Sequence, residues 1–402
     1  MKVQIAQHDL RAPATGIPVR NGYGWMLVLV REARRPLGVI DVPLADRTAP
    51  ITAAELREAI DVQLGISPDE QDVWTAEPPP PACDAGPPIS VVVGTRDRPE
   101  SLRRCLAALR RIEYDDYEVI VVDNASRSQA TRKVVADTSF RYVREEREGL
   151  SWARNRGVSE ARYGIVAFTD DDVEVDPGWL RGVADALSDP TVEAATGLVL
   201  AAELETYAQQ LYEHYGGMSK GVAPREFVRD GMSPRDLLAM YEVGVGANMA
   251  FRRRVFNRIG GFDTALGPGT PSGGADDLDI FHRVLTAGMK LRYEPTALVW
   301  HHHRGDMRAL RRQIHDNGRA FGVFLIKTWR SGAVEGREML RFAVGQWWWS
   351  WLVTHVGRSL LKRHRLPLRL VLAELYGAHT APWAYLATRQ RGRRALRPST
   401  GT

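Results

Sequence analysis

Cysteine is almost missing from this chain: 402 residues contain two, Cys83 in a proline-rich stretch and Cys105 in an expected helix. That excludes a disulfide framework and a cysteine-based zinc site, so a reducing cytoplasm is the expected compartment. Long hydrophobic runs are missing too. The longest uncharged stretch of the C-terminal third, residues 342–357, is shorter than the ~20 residues a membrane-spanning helix needs. The opening segment "MKVQIAQHDLRAP" has no apolar core of the kind a secretory signal carries, and none is expected. No internal repeat is evident. With 44% hydrophobic and 26% charged residues, composition excludes a disordered or collagen-like chain.

What the chain does have is local charge. Its net charge is +5, yet from Arg358 onward ten Lys or Arg face one acid, Glu374. A nucleic-acid partner is not expected, because the main body has no basic recognition helix. The tryptophans Trp347, Trp348, Trp349 and Trp351, flanked by Arg341 and Arg358, suit an anionic membrane surface. Packing of these helices on the main body or on another subunit explains them equally well, which leaves an oligomer open.

The clearest internal boundary is "EPPPPACDAGPP", residues 77–88, whose prolines can join neither a helix nor a central strand. Residues 1–76 before it read as a small α+β module, with strands in "GWMLVLVRE" and "PLGVIDVPL" and a helix from Thr52 to Gly65. Beyond it, "ISVVVGT", "YEVIVVD", a short strand near Phe140 and "GIVAFTD" alternate with helices starting near Pro99, Ser128 and Gly149. Continuous apolar strands alternating with helices predict an α/β fold with a Rossmann-like, mostly parallel central sheet covered on both faces. Residues 89–304 form that unit, and 305–402 form a helical, Trp-rich and basic C-terminal extension.

Ligands of such sheets bind beyond the carboxyl ends of the strands, which puts Thr95 to Arg98, Asp123 to Ser126 and Asp170 to Asp172 on one rim. Three successive aspartates there call for a counter-charge, and a hard divalent cation with oxygen ligands supplies one. Arg154, in "SWARNRG", is placed to neutralise phosphate charge. In "SGGADDLDIF", glycines precede Asp276, Asp277 and Asp279 at a helix start, where the dipole favours carboxylates and one of them can act as general base. After "ALVW", strand alternation sends His301 and His303 to one face and His302 to the other. Either of the first two can serve a metal.

In order along residues 87–304, the segments "PPISVVVGTRDRPESLRRCLAAL", "YEVIVVDNAS", "GLSWARNRG", "VAFTDDDVEVDPGWL", "GANMAFRRRVFNRIGGFD", "GGADDLDIFHRVLTAG" and "ALVWHHHRG" together resemble glycosyltransferase family 2. The resemblance implies the GT-A fold and an inverting, metal-dependent transfer of a sugar from a nucleotide-diphosphate donor. The acceptor hydroxyl would belong to a glycan, a lipid-linked sugar or another molecule, in cell-envelope or glycoconjugate synthesis. It implies that Thr95, Asp97, Asp123 and Arg154 line the nucleotide site, with Asp170 and Asp171 toward ribose and sugar. Asp172 would hold Mn²⁺ or Mg²⁺ with His301, His303 being the alternative. On the acceptor side stand Gly274 and Asp276, with Asp277 as catalytic base; Asp276 replaces the family's more usual glutamate. The expected location is cytoplasmic, peripheral at the inner membrane face if the tail binds lipid.

Two other readings make different demands on the sequence. A sugar-phosphate nucleotidyltransferase needs a glycine-rich loop with a following Arg and Lys, and "VGTRDRPESL" has neither that loop nor a lysine. A non-catalytic carbohydrate-binding or scaffold protein of the same fold predicts loss of Asp172 or Asp277, and both are present.

Overall fold

The computed structural model describes residues 1–12, 16–44, 47–66, 86–350 and 367–395. Most of the proline-rich stretch and the second half of the tryptophan cluster's neighbourhood, including Trp351 and Arg358, lie outside the described residues, as does Cys83. The side chains of Trp347, Trp348 and Trp349 are likewise not described.

The first 66 residues build a three-stranded sheet and one helix. Strand β2 (Tyr23–Glu32) pairs antiparallel with β3 (Arg35–Pro43), as the two apolar segments suggest, and parallel with β1 (Lys2–Asp9), a strand the sequence pattern did not disclose. The helix Ala53–Leu64 starts on a capping box between Thr52 and Glu55 and ends on Gly65 in the left-handed conformation, the two signals visible in the sequence. This sheet is docked on the rest of the chain. Val3 bridges to Leu204, and Arg31 pairs with Asp176 at 2.9 Å with both side chains largely buried.

The central sheet has nine strands. Its main path runs β10 (Arg225–Phe227), β12 (Lys290–His301), β9 (Val192–Ala201), β11 (Asn248–Arg252), β7 (Ile165–Asp170), β4 (Ile89–Thr95), β5 (Tyr117–Asn124) and β6 (Arg141–Glu145), while β8 (Val173–Val175) pairs with β12. Strands β4, β5, β6, β7, β9 and β12 share one direction. Strands β8, β10 and β11 run against it, so the expected parallel block is continued through an antiparallel insertion, β11, between β7 and β9.

Every residue of β4 is buried, as a strand covered on both faces requires. One apolar cluster, including Val92, Phe168, Phe251 and Phe281, lies on one side of the sheet; the other, including Val91, Val93, Leu102 and Trp179, lies opposite. Asn248 locks the insertion in place. It accepts from the buried indole of Trp179 at 2.9 Å and donates to the carbonyls of Leu198 and Ala297 at 3.0 and 2.7 Å. The polar groups of three separate segments are thereby satisfied by one amide.

The C-terminal extension is helical where described. The helix Met307–Ser331 packs on the main body, and Leu368–His379 and Ala381–Ala395 pack against it and its neighbours. Exposed Leu372, Tyr376, Trp383 and Leu386 remain on their outer surface. No described helix is long and apolar enough to cross a membrane.

Candidate functional site

The site is built at the rim where β4, β5, β7 and β12 end. Among the described residues, three of the four non-glycine residues with positive φ stand there: Asp97 after β4, Ala125 after β5 and Ala275 before the helix Asp276–Thr286. Backbone held in this sparsely populated region costs on the order of 1 kcal/mol or more per residue, and its concentration at one rim marks a surface whose shape matters.

Within the acidic cluster the three carboxylates have different partners. Asp170 accepts from Arg154 Nη2 at 3.1 Å and remains partly open. Asp171 accepts from Thr95 Oγ1 at 2.7 Å and from Arg98 Nη1 at 3.1 Å. Asp172 accepts from the same Arg98 nitrogen at 3.1 Å, with Arg304 Nη2 at 3.4 Å and His301 Nε2 at 3.4 Å. Burial and the neighbouring Asp172 charge push the Asp171 carboxyl up to about 6. Burial also opposes ionisation of Asp172, but His301, Arg304 and Arg98 outweigh it and hold that carboxyl well below the usual range. The sequence pattern puts Arg98 on this rim without giving its partners, and it does not single out Arg304. Their role comes from contacts 73 or more positions apart for Arg98, which no local signal carries.

Arg154 is the hinge pin of the site. It is 3% exposed and donates to Asp276, to Asp170 and to the Gly246 carbonyl, the last at 2.9 Å. It thereby joins Asp170, at the end of β7, to Asp276, at the start of the helix Asp276–Thr286. Burial raises the Asp276 carboxyl to about 6 even against the pull of Arg154, the nearby Asp277 charge adding to the rise.

Asp277 is the acid that faces open space. Its Oδ2 accepts from the Gly246 amide at 2.9 Å and its Oδ1 from its neighbour Leu278 at 2.8 Å, while the carboxylate lines a cavity of about 780 Å³. Asp279 points the other way, pairing with Arg283 at 2.8 Å and Lys327 at 2.6 Å. The glycine loop before this helix serves close packing: a Cβ on Gly274 would come within 3.1 Å of the Ala320 Cβ on the long helix. The same cavity is lined by Leu150, Arg154, Asp170, Tyr212, Lys220 and Gly274, among others.

The three histidines separate as strand alternation requires. His301 and His303 share a side, with their Nδ1 atoms 3.0 Å apart, and His303 Nε2 contacts Glu213 at 2.6 Å. His302 turns to the opposite side and pairs with Glu174 at 2.7 Å. His301, not His303, is next to Asp172.

Asp97 and Asp123 reach the same rim, but both are engaged within it. Asp97 accepts from the Arg127 amide at 2.8 Å. Asp123, 1% exposed, accepts from Tyr142, Arg144 and the Ser126 amide at 2.7, 2.9 and 3.2 Å. Its carboxylate organises the loop after β5, and a nucleobase edge would have to share it with those donors.

Among the described residues no group of three or more His, Cys, Asp or Glu is arranged to hold a metal ion. Asp172 and His301 still supply an oxygen and a nitrogen donor. A Mg²⁺ or Mn²⁺ site completed by diphosphate oxygens and water needs only one or two protein ligands. The donor set fits such an ion.

Residues 90–260 match the family model described as Glycosyl transferase family 2. The chain is 28% identical over 242 residues to the pre-mycofactocin glycosyltransferase of Mycobacterium tuberculosis strain H37Rv, covering 59% of this chain and 47% of that protein. It is 26% identical over 269 residues to glycosyltransferase AglE of Haloferax volcanii, covering 65% of this chain and 80% of that one. The chain thus spans about half the length of the mycobacterial relative. Among solved structures, the mannosyltransferase PcManGT from Pyrobaculum calidifontis, in complex with GDP-Man and Mn²⁺, is similar over 80% of this chain and 78% of its own, with a TM-score of 0.46 and 20% identity.

Proposed function

We infer from a chain that carries a glycosyltransferase family 2 domain over residues 90–260 that it moves a sugar from a nucleotide-diphosphate donor to an acceptor hydroxyl, with inversion at the anomeric carbon. The observation that carries this reading is that donor-side Asp170 and Arg154 and acceptor-side Asp277 line one cavity. Asp277 takes the proton of the acceptor hydroxyl as that oxygen attacks the anomeric carbon from the face opposite the nucleotide. The Gly246 amide keeps its carboxylate oriented, and Arg154 fixes Gly246 from the other side. No covalent sugar–protein intermediate is needed.

The departing diphosphate gathers negative charge, and Arg98 and Arg304 are the cations beside the acidic cluster that can meet it. Asp172, with His301, would hold Mn²⁺ or Mg²⁺, whose charge neutralises the diphosphate when bound. Asp171 and Asp170 then face ribose and sugar, and residues 89–304 are the catalytic unit. The exposed Trp383, Leu386, Tyr376 and Leu372, with Arg389 on the last helix, support residence at an anionic membrane surface.

The test is a thermal-shift panel of UDP, GDP and dTDP with and without Mn²⁺, followed by donor turnover with the stabilising nucleotide's sugars. Stabilisation by one nucleotide supports the reading. A flat response to all three would refute it.

A further inference from the structure

The helix Leu368–His379 lies outside the segment that matches the family model, yet it places one side chain, Glu374, on the wall of the active-site cavity. It can do so because it crosses the long helix Met307–Ser331 with almost nothing between the backbones. A Cβ on Gly318 would stand 2.2 Å from the Glu374 carbonyl oxygen, and one on Gly377 would stand 1.9 Å from that of His315. Two glycines therefore fix the crossing that brings Glu374 to the cavity.

Glu374 is 6% exposed, and its Oε2 has no hydrogen-bond partner. Among the described residues no cation forms an ion pair with it, and Tyr215 is the side chain that acts on its carboxyl. A buried carboxyl with an idle oxygen costs free energy that the folded chain does not recover. At a substrate cavity, the group that returns that cost is a ligand. Gln313 and Asn317 from the long helix line the same cavity, as do the Tyr241 and Phe321 rings, whose centroids lie 5.8 Å apart edge to face. Aromatic faces with convergent carboxyl and amide groups suit a sugar ring, which offers apolar C–H faces and equatorial hydroxyls.

We infer that Glu374 is a specificity-determining residue for the acceptor and hydrogen-bonds a ring hydroxyl of a pyranose. This rests on the transferase reading and names the acceptor class for the same cavity. Removal of the carboxyl then relieves the fold and harms recognition at once, which a merely structural residue would not do.

Saturation-transfer NMR of the full chain with methyl α- and β-hexopyranosides tests this, with nucleotide thermal shifts run in parallel. In the wild type at least one pyranoside binds. Glu374→Leu melts no lower than the wild type and keeps its nucleotide shift, but loses tenfold or more in pyranoside affinity, and Glu374→Gln retains most of it. If Glu374→Leu fails to fold, Gln313→Ala is expected to weaken the same pyranoside severalfold. Equal pyranoside affinity in the wild type and the variants, or no pyranoside binding by the wild type, overturns the assignment. A wild type that binds no nucleotide sinks the transferase reading by itself, whichever way the pyranoside arm falls.

Discussion

Arg154 and Asp276 form a buried ion pair across 122 positions of the chain, each side chain about 5% exposed or less. Because Arg154 also holds Asp170, removing it leaves buried Asp276 and half-buried Asp170 without their counter-charge. Arg154→Met should destabilise the fold by about 3–5 kcal/mol in denaturant melts. Adding Asp276→Asn should recover part of that loss, so a double-mutant cycle gives a coupling of ~1 kcal/mol or more. Additive single effects would show that the pair is not a unit.

Asp277 and Asp279 stand two positions apart and should fail differently. Asp277→Asn is expected to lower kcat by about 10²–10⁴ while leaving nucleotide affinity and melting temperature unchanged. Asp279→Asn should do the reverse, lowering the melting temperature with a small effect on turnover, since its partners are Arg283 and Lys327. Calorimetry and steady-state kinetics on both variants separate the two roles, and full turnover in Asp277→Asn would remove it as base.

For the cation, the Mn²⁺-dependent part of the nucleotide thermal shift should vanish in Asp172→Ala and weaken more in His301→Ala than in His303→Ala. Chelation of the wild type should reproduce the Asp172→Ala result. A Mn²⁺ increment that survives in Asp172→Ala would rule that residue out as ligand.

Burial raises Glu374 to about 8, so the folded chain keeps a proton that the unfolded chain releases near pH 4.5. Between those values the native state binds more protons, and stability therefore falls as pH rises through that window. The loss from this group should be on the order of a few kcal/mol by pH 9. Melting temperatures from pH 5 to 9 should decline more steeply in the wild type than in Glu374→Gln; parallel curves would contradict the shift.

Much of the site was legible because its residues come in short runs with fixed strand or helix context. The acids at 170–172 and 276–277 end a buried strand and start a helix, and the alternation of His301, His302 and His303 follows from the strand period alone. Arg154 was found but its partners were not, since a side chain's direction across 122 positions is a property of packing. The partners of Arg98, and Arg304 and Glu374 altogether, escaped for the same reason, and Glu374 lies in a helix whose own pattern speaks only of apolar burial. β1 escaped because "KVQIAQHD" mixes polar and apolar residues, and its pairing with β2 is what makes it a strand.

That strand has a consequence in time. β1 pairs along its length with β2 and touches Leu204 at the single Val3 bridge, while the Met1 carbonyl accepts from Gln210. At ribosomal speeds of about 5–20 residues per second, its final partner follows it by roughly ten to forty seconds. During synthesis those contacts stay open, and a chaperone or a neighbouring nascent chain has that interval in which to reach the edge of β1 first.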